Sequence, residues 1–117
     1  VIRLEGISRR AGSKTILEAV DLEIPRGEIF AFIGPSGSGK TSVLRLIDLL
    51  DTPTTGTIIV DGTDTAASSA VRLSIRRRMA MVFQKPAVLN TTVAGNVAFG
   101  LKFRQVEKSE IDSRVHE

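Results

Sequence analysis

With 117 residues, 42% of them hydrophobic, the chain carries apolar material for one modest core and gives no sign of two. No apolar stretch approaches the ~20 residues that span a bilayer; the opening residues lack the positive segment and apolar run of a secretory signal, and the absence of cysteine excludes disulfides and thiolate metal sites, which fits a reducing cytosol. A net charge of +3, densest at Arg72, Arg76, Arg77 and Arg78, invites nucleic acid as a partner, but a chain without Tyr or Trp has few surfaces for base stacking. A solvated helix face or an acidic partner is the expectation for that cluster.

In chain order, Ile2 to Ile7 and Val20 to Ile24 alternate apolar with polar as half-buried strands do, and Gly12-Ser13-Lys14 between them supplies turn chemistry. They predict the start of an antiparallel lobe. Pro25-Arg26-Gly27 turns the chain into Glu28-Ile-Phe-Ala-Phe-Ile33, a continuous apolar run expected to be a strand buried on both faces. After a glycine-rich loop, Val43, Leu46, Ile47 and Leu50 recur at helical spacing, and Asp51 and Pro53 close the segment.

Thr54-Thr55-Gly56 breaks the chain before a short strand, Thr57 to Val60, which ends at Asp61-Gly62. A polar stretch from Thr63 to Ser69 leads to a predicted helix around Val71 to Arg77, then to Met79-Ala-Met-Val-Phe83, a second candidate central strand. From Gln84 onward the texture is loop followed by helices. Thr92 is placed to cap a helix with Val93, Val97 and Leu101 on one side, and Ser109 with Asp112 resembles a capping box. The final helix has only Ile111 and Val115 to bury before Glu117, too little for two turns alone, so the chain reads as cut. His116, the only histidine, has no ligand-like neighbours and is expected to be exposed. There is no internal repeat.

Residues 34–41 read Gly-Pro-Ser-Gly-Ser-Gly-Lys-Thr, the spacing of a phosphate-binding loop. Glycines at 34, 37 and 39 permit backbone conformations that let successive N–H groups converge on one anion. Lys40 supplies a point charge for outer phosphates, and Thr41 offers a hydroxyl to phosphate-bound magnesium, a hard ligand for a hard cation. The pattern is only moderately specific alone, but strand, glycine loop and helix in that order is the context it requires, with a helix N-terminus aimed at the phosphates.

Gln84 directly follows the Met79–Phe83 run. If that run is a parallel strand beside the first, the Gln84 amide is placed to complete a magnesium shell or to position an attacking water; read on its own, it is equally an ordinary polar residue ending a strand. Ile58-Ile59-Val60-Asp61 mimics a second magnesium motif, but Gly62 stands where an acidic base is wanted, and Asp-Gly reads better as a hairpin turn.

Taken in register, Gly34–Thr41, Pro53-Thr54-Thr55-Gly56, Ile59-Val60-Asp61-Gly62, Met81-Val82-Phe83-Gln84 and Thr92–Gly100 resemble the amino-terminal half of an ATP-binding cassette (ABC) transporter ATPase subunit, over essentially the whole chain. The resemblance implies an α/β fold: a P-loop NTPase core with a RecA-like parallel sheet and an antiparallel β lobe, incomplete as an ABC ATPase domain. Residues 1–30 and 56–66 would form the β lobe, 28–55 and 67–84 the nucleotide-binding core, and 85–117 the start of a helical subdomain. It implies a Walker A motif in which Gly34, Pro35, Ser36, Gly37, Ser38, Gly39, Lys40, Thr41 and Ser42 hold ATP. Thr41 and Gln84 would meet Mg2+, Lys40 and Gln84 would serve catalysis, and Gln84 would be the Q-loop glutamine. The implied partners are a second ATP-binding subunit, as a homodimer, and a transmembrane permease, with no nucleic acid. The implied location is cytoplasmic, peripheral on the inner face of the membrane.

Two departures stand out. The family's adenine-stacking aromatic is matched by Ala11, which puts base affinity and ATP-over-GTP preference in question; Arg10 is the candidate substitute, through its guanidinium plane. Neither the Leu-Ser-Gly-Gly-Gln signature, nor a Walker B aspartate and glutamate, nor a switch histidine occurs in the sequence, so these residues alone are expected to hydrolyse ATP poorly. The stretch Met-Val-Phe-Gln-Lys-Pro, followed by Thr91-Thr92-Val93, is similar to importers of oxyanions such as tungstate, molybdate or phosphate. The rival readings are a P-loop small-molecule kinase, which usually opens directly on its loop, and a nucleotide-gated DNA-binding ATPase, which would run into a heptad coiled coil that residues 102–117 do not show.

Overall fold

The computed structural model describes residues 1–85 and 87–116. Pro86, the last residue of the oxyanion-like stretch, and Glu117, the last residue of the sequence, lie outside the described residues. The chain divides into two compact units, Val1–Met81 and Val82–Glu117.

The first unit is built on a four-stranded antiparallel sheet in the order β2-β1-β3-β4, with β1 Ile2–Ala11, β2 Lys14–Ile24, β3 Thr55–Val60 and β4 Thr63–Asp64. The expected Gly12 turn joins β1 to β2, and both strands run longer than their alternating patterns suggested. Simple alternation fails inside β1, where Leu4 and Ile7 are both buried although three residues apart. Leu4 pairs with Leu22 and Ile7 with Val20, so β1 spends three residues where β2 spends two. That extra residue is a bulge, and it returns Ile7 to the face that Leu4 occupies.

On the sheet lie α1, Lys40–Ile47, and α2, Ser69–Arg76. Val43 and Leu46 of α1, Leu49 just beyond it and Ile75 of α2 join Leu4, Ile7, Leu17, Ile58 and Val60 in one buried cluster. Helix α1 stops earlier than its apolar spacing predicts because Leu49 adopts φ 57°, a left-handed conformation that turns the chain and drops Leu49 into the core. At the β3–β4 hairpin, Asp61 (φ 48°) and Gly62 (φ 79°) are both left-handed, as a type I′ turn requires, so the Asp-Gly hairpin reading holds.

Both runs expected as central parallel strands differ from expectation. Neither Glu28–Ile33 nor Met79–Phe83 joins a sheet ladder among the described residues. Ile29 and Ile33 are 103% and 96% exposed and Val82 is 94% exposed, whereas Phe32 and Met79 pack on the core. A strand buried on both faces is held by neighbours on both sides, and no described strand reaches these runs.

The second unit pairs α3, Val93–Phe103, with α4, Lys108–His116. Thr92 caps α3 as expected, its Oγ1 accepting from the Gly95 amide at 3.0 Å. The buried side of α3 is not the expected one: Val93 and Val97 are exposed, Leu101 is half-buried and Ala98 is buried. Helix α3 is apolar around most of its circumference, so spacing does not select a face. Ser109 is inside α4, which begins at Lys108, and the Glu107 carbonyl accepts from the Glu110 and Ile111 amides, so Ser109 is not the N-cap that the expected capping box requires. His116 is exposed, as expected.

Candidate phosphate-binding site

The loop 34–39 enters α1 through Gly39, which takes φ 92° as the N-cap residue. A Cβ there would stand 2.7 Å from Leu17 Cδ2 and 3.3 Å from the Ile16 carbonyl oxygen, so only a glycine lets the loop close against β2. The Ser38 amide donates to the Pro35 carbonyl at 3.3 Å, and Val43 donates to the Gly39 carbonyl at 2.9 Å, which opens the helical ladder. No side chain caps α1. The N–H groups of its first turn have no intrahelical acceptor and carry the positive end of the helix dipole.

Lys40 folds back across the loop it follows. Its Nζ donates to the carbonyls of Gly34 and Pro35, both at 2.7 Å, and to Ser38 Oγ at 3.3 Å. The ammonium therefore spans the loop from its first residues to its fifth. Thr41 is exposed and Ser42 half-buried on the first turn of α1. Gly34, Pro35, Ser36, Gly37, Ser38, Gly39, Lys40, Thr41 and Ser42 are thus brought together as one continuous element. Gln84 belongs to the second unit, where it lies exposed in a bend.

The donor set suits a phosphate. It offers a cationic strut, an uncapped helix start and a glycine mouth that a Cβ would fill. No group of three His, Cys, Asp or Glu side chains gathers among the described residues. A magnesium ion here would instead draw on the Thr41 hydroxyl and on phosphate oxygens, the ligand economy of nucleotide sites.

Sequence reasoning missed three supports. Arg72 Nη2 donates to the carbonyls of Leu49 and Asp51 at 2.7 and 2.8 Å, so α2 holds the end of the helix that starts at the loop. Arg45 grips Asp51 from Nε at 2.9 Å and Nη2 at 3.3 Å, and this hydrogen bonding holds the Asp51 carboxyl below its ordinary range. Asp61, dismissed as a magnesium ligand, accepts from Arg78 at 2.8 Å and from Arg26 at 3.1 Å. The basic cluster is accordingly divided: Arg72 and Arg78 are engaged within the fold, and Arg76 and Arg77 are exposed.

A glycine loop closed by its own lysine at the mouth of a helix defines a P-loop protein. The particular family follows from comparison: the chain belongs to the ABC transporter family, whose model matches residues 17–117. It is 44% identical over 113 residues to the phosphate import ATP-binding protein PstB 2 of Natronomonas pharaonis, covering 96% of this chain and 40% of the relative. It is 42% identical over 118 residues to the spermidine/putrescine import ATP-binding protein PotA of Aliivibrio fischeri, covering 100% of this chain and 31% of that one. Among solved structures, a dimeric ATP-binding cassette in a post-hydrolysis state bound to ADP and Pi matches with a TM-score of 0.83 at 30% identity, over 98% of this chain and 54% of the other. The chain spans well under half the length of these curated relatives. The α/β class with its antiparallel lobe is therefore that of an incomplete ABC ATPase domain.

Proposed function

We propose that this chain is the nucleotide-holding part of an ATP-binding subunit that powers an importer. The observation that carries the reading is the Lys40 ammonium folded onto the Gly34 and Pro35 carbonyls at the uncapped start of α1. Residues 28–55 and 67–84 form the nucleotide core, 1–30 and 56–66 the β lobe, and 85–117 the start of a helical subdomain.

In this reading Lys40 stays anchored on the two carbonyls and turns toward the outer phosphates in exchange for its longest contact, Ser38. The backbone amides of the loop and the hydroxyls of Ser36, Ser38 and Ser42 take the remaining phosphate oxygens. Thr41 and Gln84 would hold magnesium, which would supply positive charge to neutralise the phosphates. Gln84 also passes the state of the nucleotide to a permease. The register of the β1–β2 hairpin sets Arg10 opposite Thr15, next to the Ile16 and Leu17 that touch the loop, which supports Arg10 as the surface under the base in place of Ala11.

The subunit works as a dimer with a second copy, at the cytoplasmic face of a membrane through its permease; no described helix is long and apolar enough to cross one. Among cargoes, the likeness to a phosphate importer supports an oxyanion, and the comparable identity to a polyamine importer supports a choice of cargo made by other subunits. The agreement along residues 17–117 favours transport over the kinase and DNA-clamp readings.

The test uses the full-length protein with magnesium and ATP. Turnover is expected, Lys40→Ala abolishes it, and equal turnover by wild type and variant would refute the role of Lys40. Arg10→Ala is expected to weaken ATP binding by roughly fivefold or more, the scale of one stacking contact.

A further inference from the structure

One carboxylate in the first unit ties together the segment that leads to Gly34 and the end of α2, after which the chain runs on to Gln84. Asp61 Oδ2 accepts from Arg26 Nη2 at 3.1 Å and from Arg78 Nη2 at 2.8 Å. Arg26 sits in the turn after β2, eight residues before Gly34, and Arg78 follows α2, six residues before Gln84. The carboxylate is itself fixed: its backbone is left-handed in the β3–β4 turn, and its amide donates to the Val1 carbonyl at 2.8 Å, continuing the β1–β3 pairing. Asp61, Arg26 and Arg78 also line one cleft with Ile75 and Met79, so the guanidinium stems lie along apolar surface.

We propose that Asp61 is a positioning residue for nucleotide turnover, setting through Arg26 and Arg78 where the run to Gly34 and the run to Gln84 leave the sheet lobe. The proposal rests on the function proposed above. Both arginines are more than half exposed, so the pair contributes little to global stability. Its effect is on the relative placement of two chain segments. A residue needed only for folding would act on stability first.

The decisive variant is Asp61→Asn, because asparagine tolerates the left-handed turn and removes only the charge. In the full-length protein it is expected to lower kcat roughly fivefold with KM for ATP changed less than about twofold and Tm nearly constant. Arg78→Gln is expected to do the same, and the double variant is expected to be no worse than either single one, as partners in one interaction behave. Amide hydrogen exchange at residues 28–34 and 79–84 should quicken in Asp61→Asn. Unchanged exchange there, or additive losses in the double variant, overturns the proposal whether or not ATP is hydrolysed. A wild-type protein without turnover refutes the transport reading, and quickened exchange in Asp61→Asn then leaves standing only that Asp61 sets where the two runs leave the sheet lobe.

Discussion

Gly39 and Leu17 are in contact so close that a methyl group on the glycine would stand 2.7 Å from Leu17 Cδ2, which makes β2 one wall of the glycine loop. Gly37, two residues earlier, has open space where its Cβ would be, although its φ of 81° is also left-handed. Strain alone costs about 1–3 kcal/mol for a side chain in such a conformation, and only Gly39 adds a clash. In nucleotide-free protein, Gly39→Ala should therefore lower the denaturation midpoint more than Gly37→Ala does. Equal midpoints would mean that the loop does not lean on β2.

Arg72 and the two carbonyls it satisfies predict a division within the basic cluster. Removing a charged donor from partly buried acceptors costs about 1–3 kcal/mol, so Arg72→Ala should reduce unfolding free energy by that amount. Arg76→Ala and Arg77→Ala, on exposed side chains, should stay within about 0.5 kcal/mol of the parent. Urea titration of the three variants checks the ordering.

The Arg45–Asp51 pair predicts an acid limb. The hydrogen bond from Arg45, the largest cause, holds Asp51 below the ordinary 3.8 in the folded chain. A carboxyl depressed on folding stabilises fully above its unfolded pKa and loses that contribution as pH falls through the lower, folded one. Stability should thus decline on acidification below about pH 4, and Asp51→Asn should be less stable at neutral pH with a shallower acid decline. Urea midpoints measured across that range for both proteins report the difference.

Asn96 predicts order in the loop before α3. Its Oδ1 accepts from the Leu89 amide at 2.7 Å, and its Nδ2 donates to the carbonyls of Leu89, Thr92 and Thr91 at 3.1, 3.0 and 3.4 Å. Asn96→Ala should speed amide exchange in residues 87–92 while the Thr92 cap keeps α3 formed. Asn96→Asp should be worse than alanine, because a carboxylate then faces those carbonyls without a donor to offer. Similar exchange in all three proteins would assign the order of this loop to other contacts.

The glycine loop and the helix it opens were legible in the residues alone because their spacing survives without tertiary information. The Asp61-Gly62 turn and the Thr92 cap were legible for the same reason, since each is closed by atoms within a few positions of itself. Leu4 and Ile7 were not fully legible: alternation named the strand, but the bulge that puts both on one face arises only when β1 is laid between β2 and β3. The same holds for Arg72 and Arg78, ordinary polar letters whose acceptors become known only after the chain has folded back on them. Glu28–Ile33 marks the opposite limit. Its apolar run is written in the sequence, but a ladder is a property of neighbours, and no described strand lies beside it. Local chemistry therefore determined the glycine loop and the turn of helix it opens, and tertiary packing decided what braces them, because hydrogen bonds between distant residues depend on where the backbone returns and not on which letters it carries.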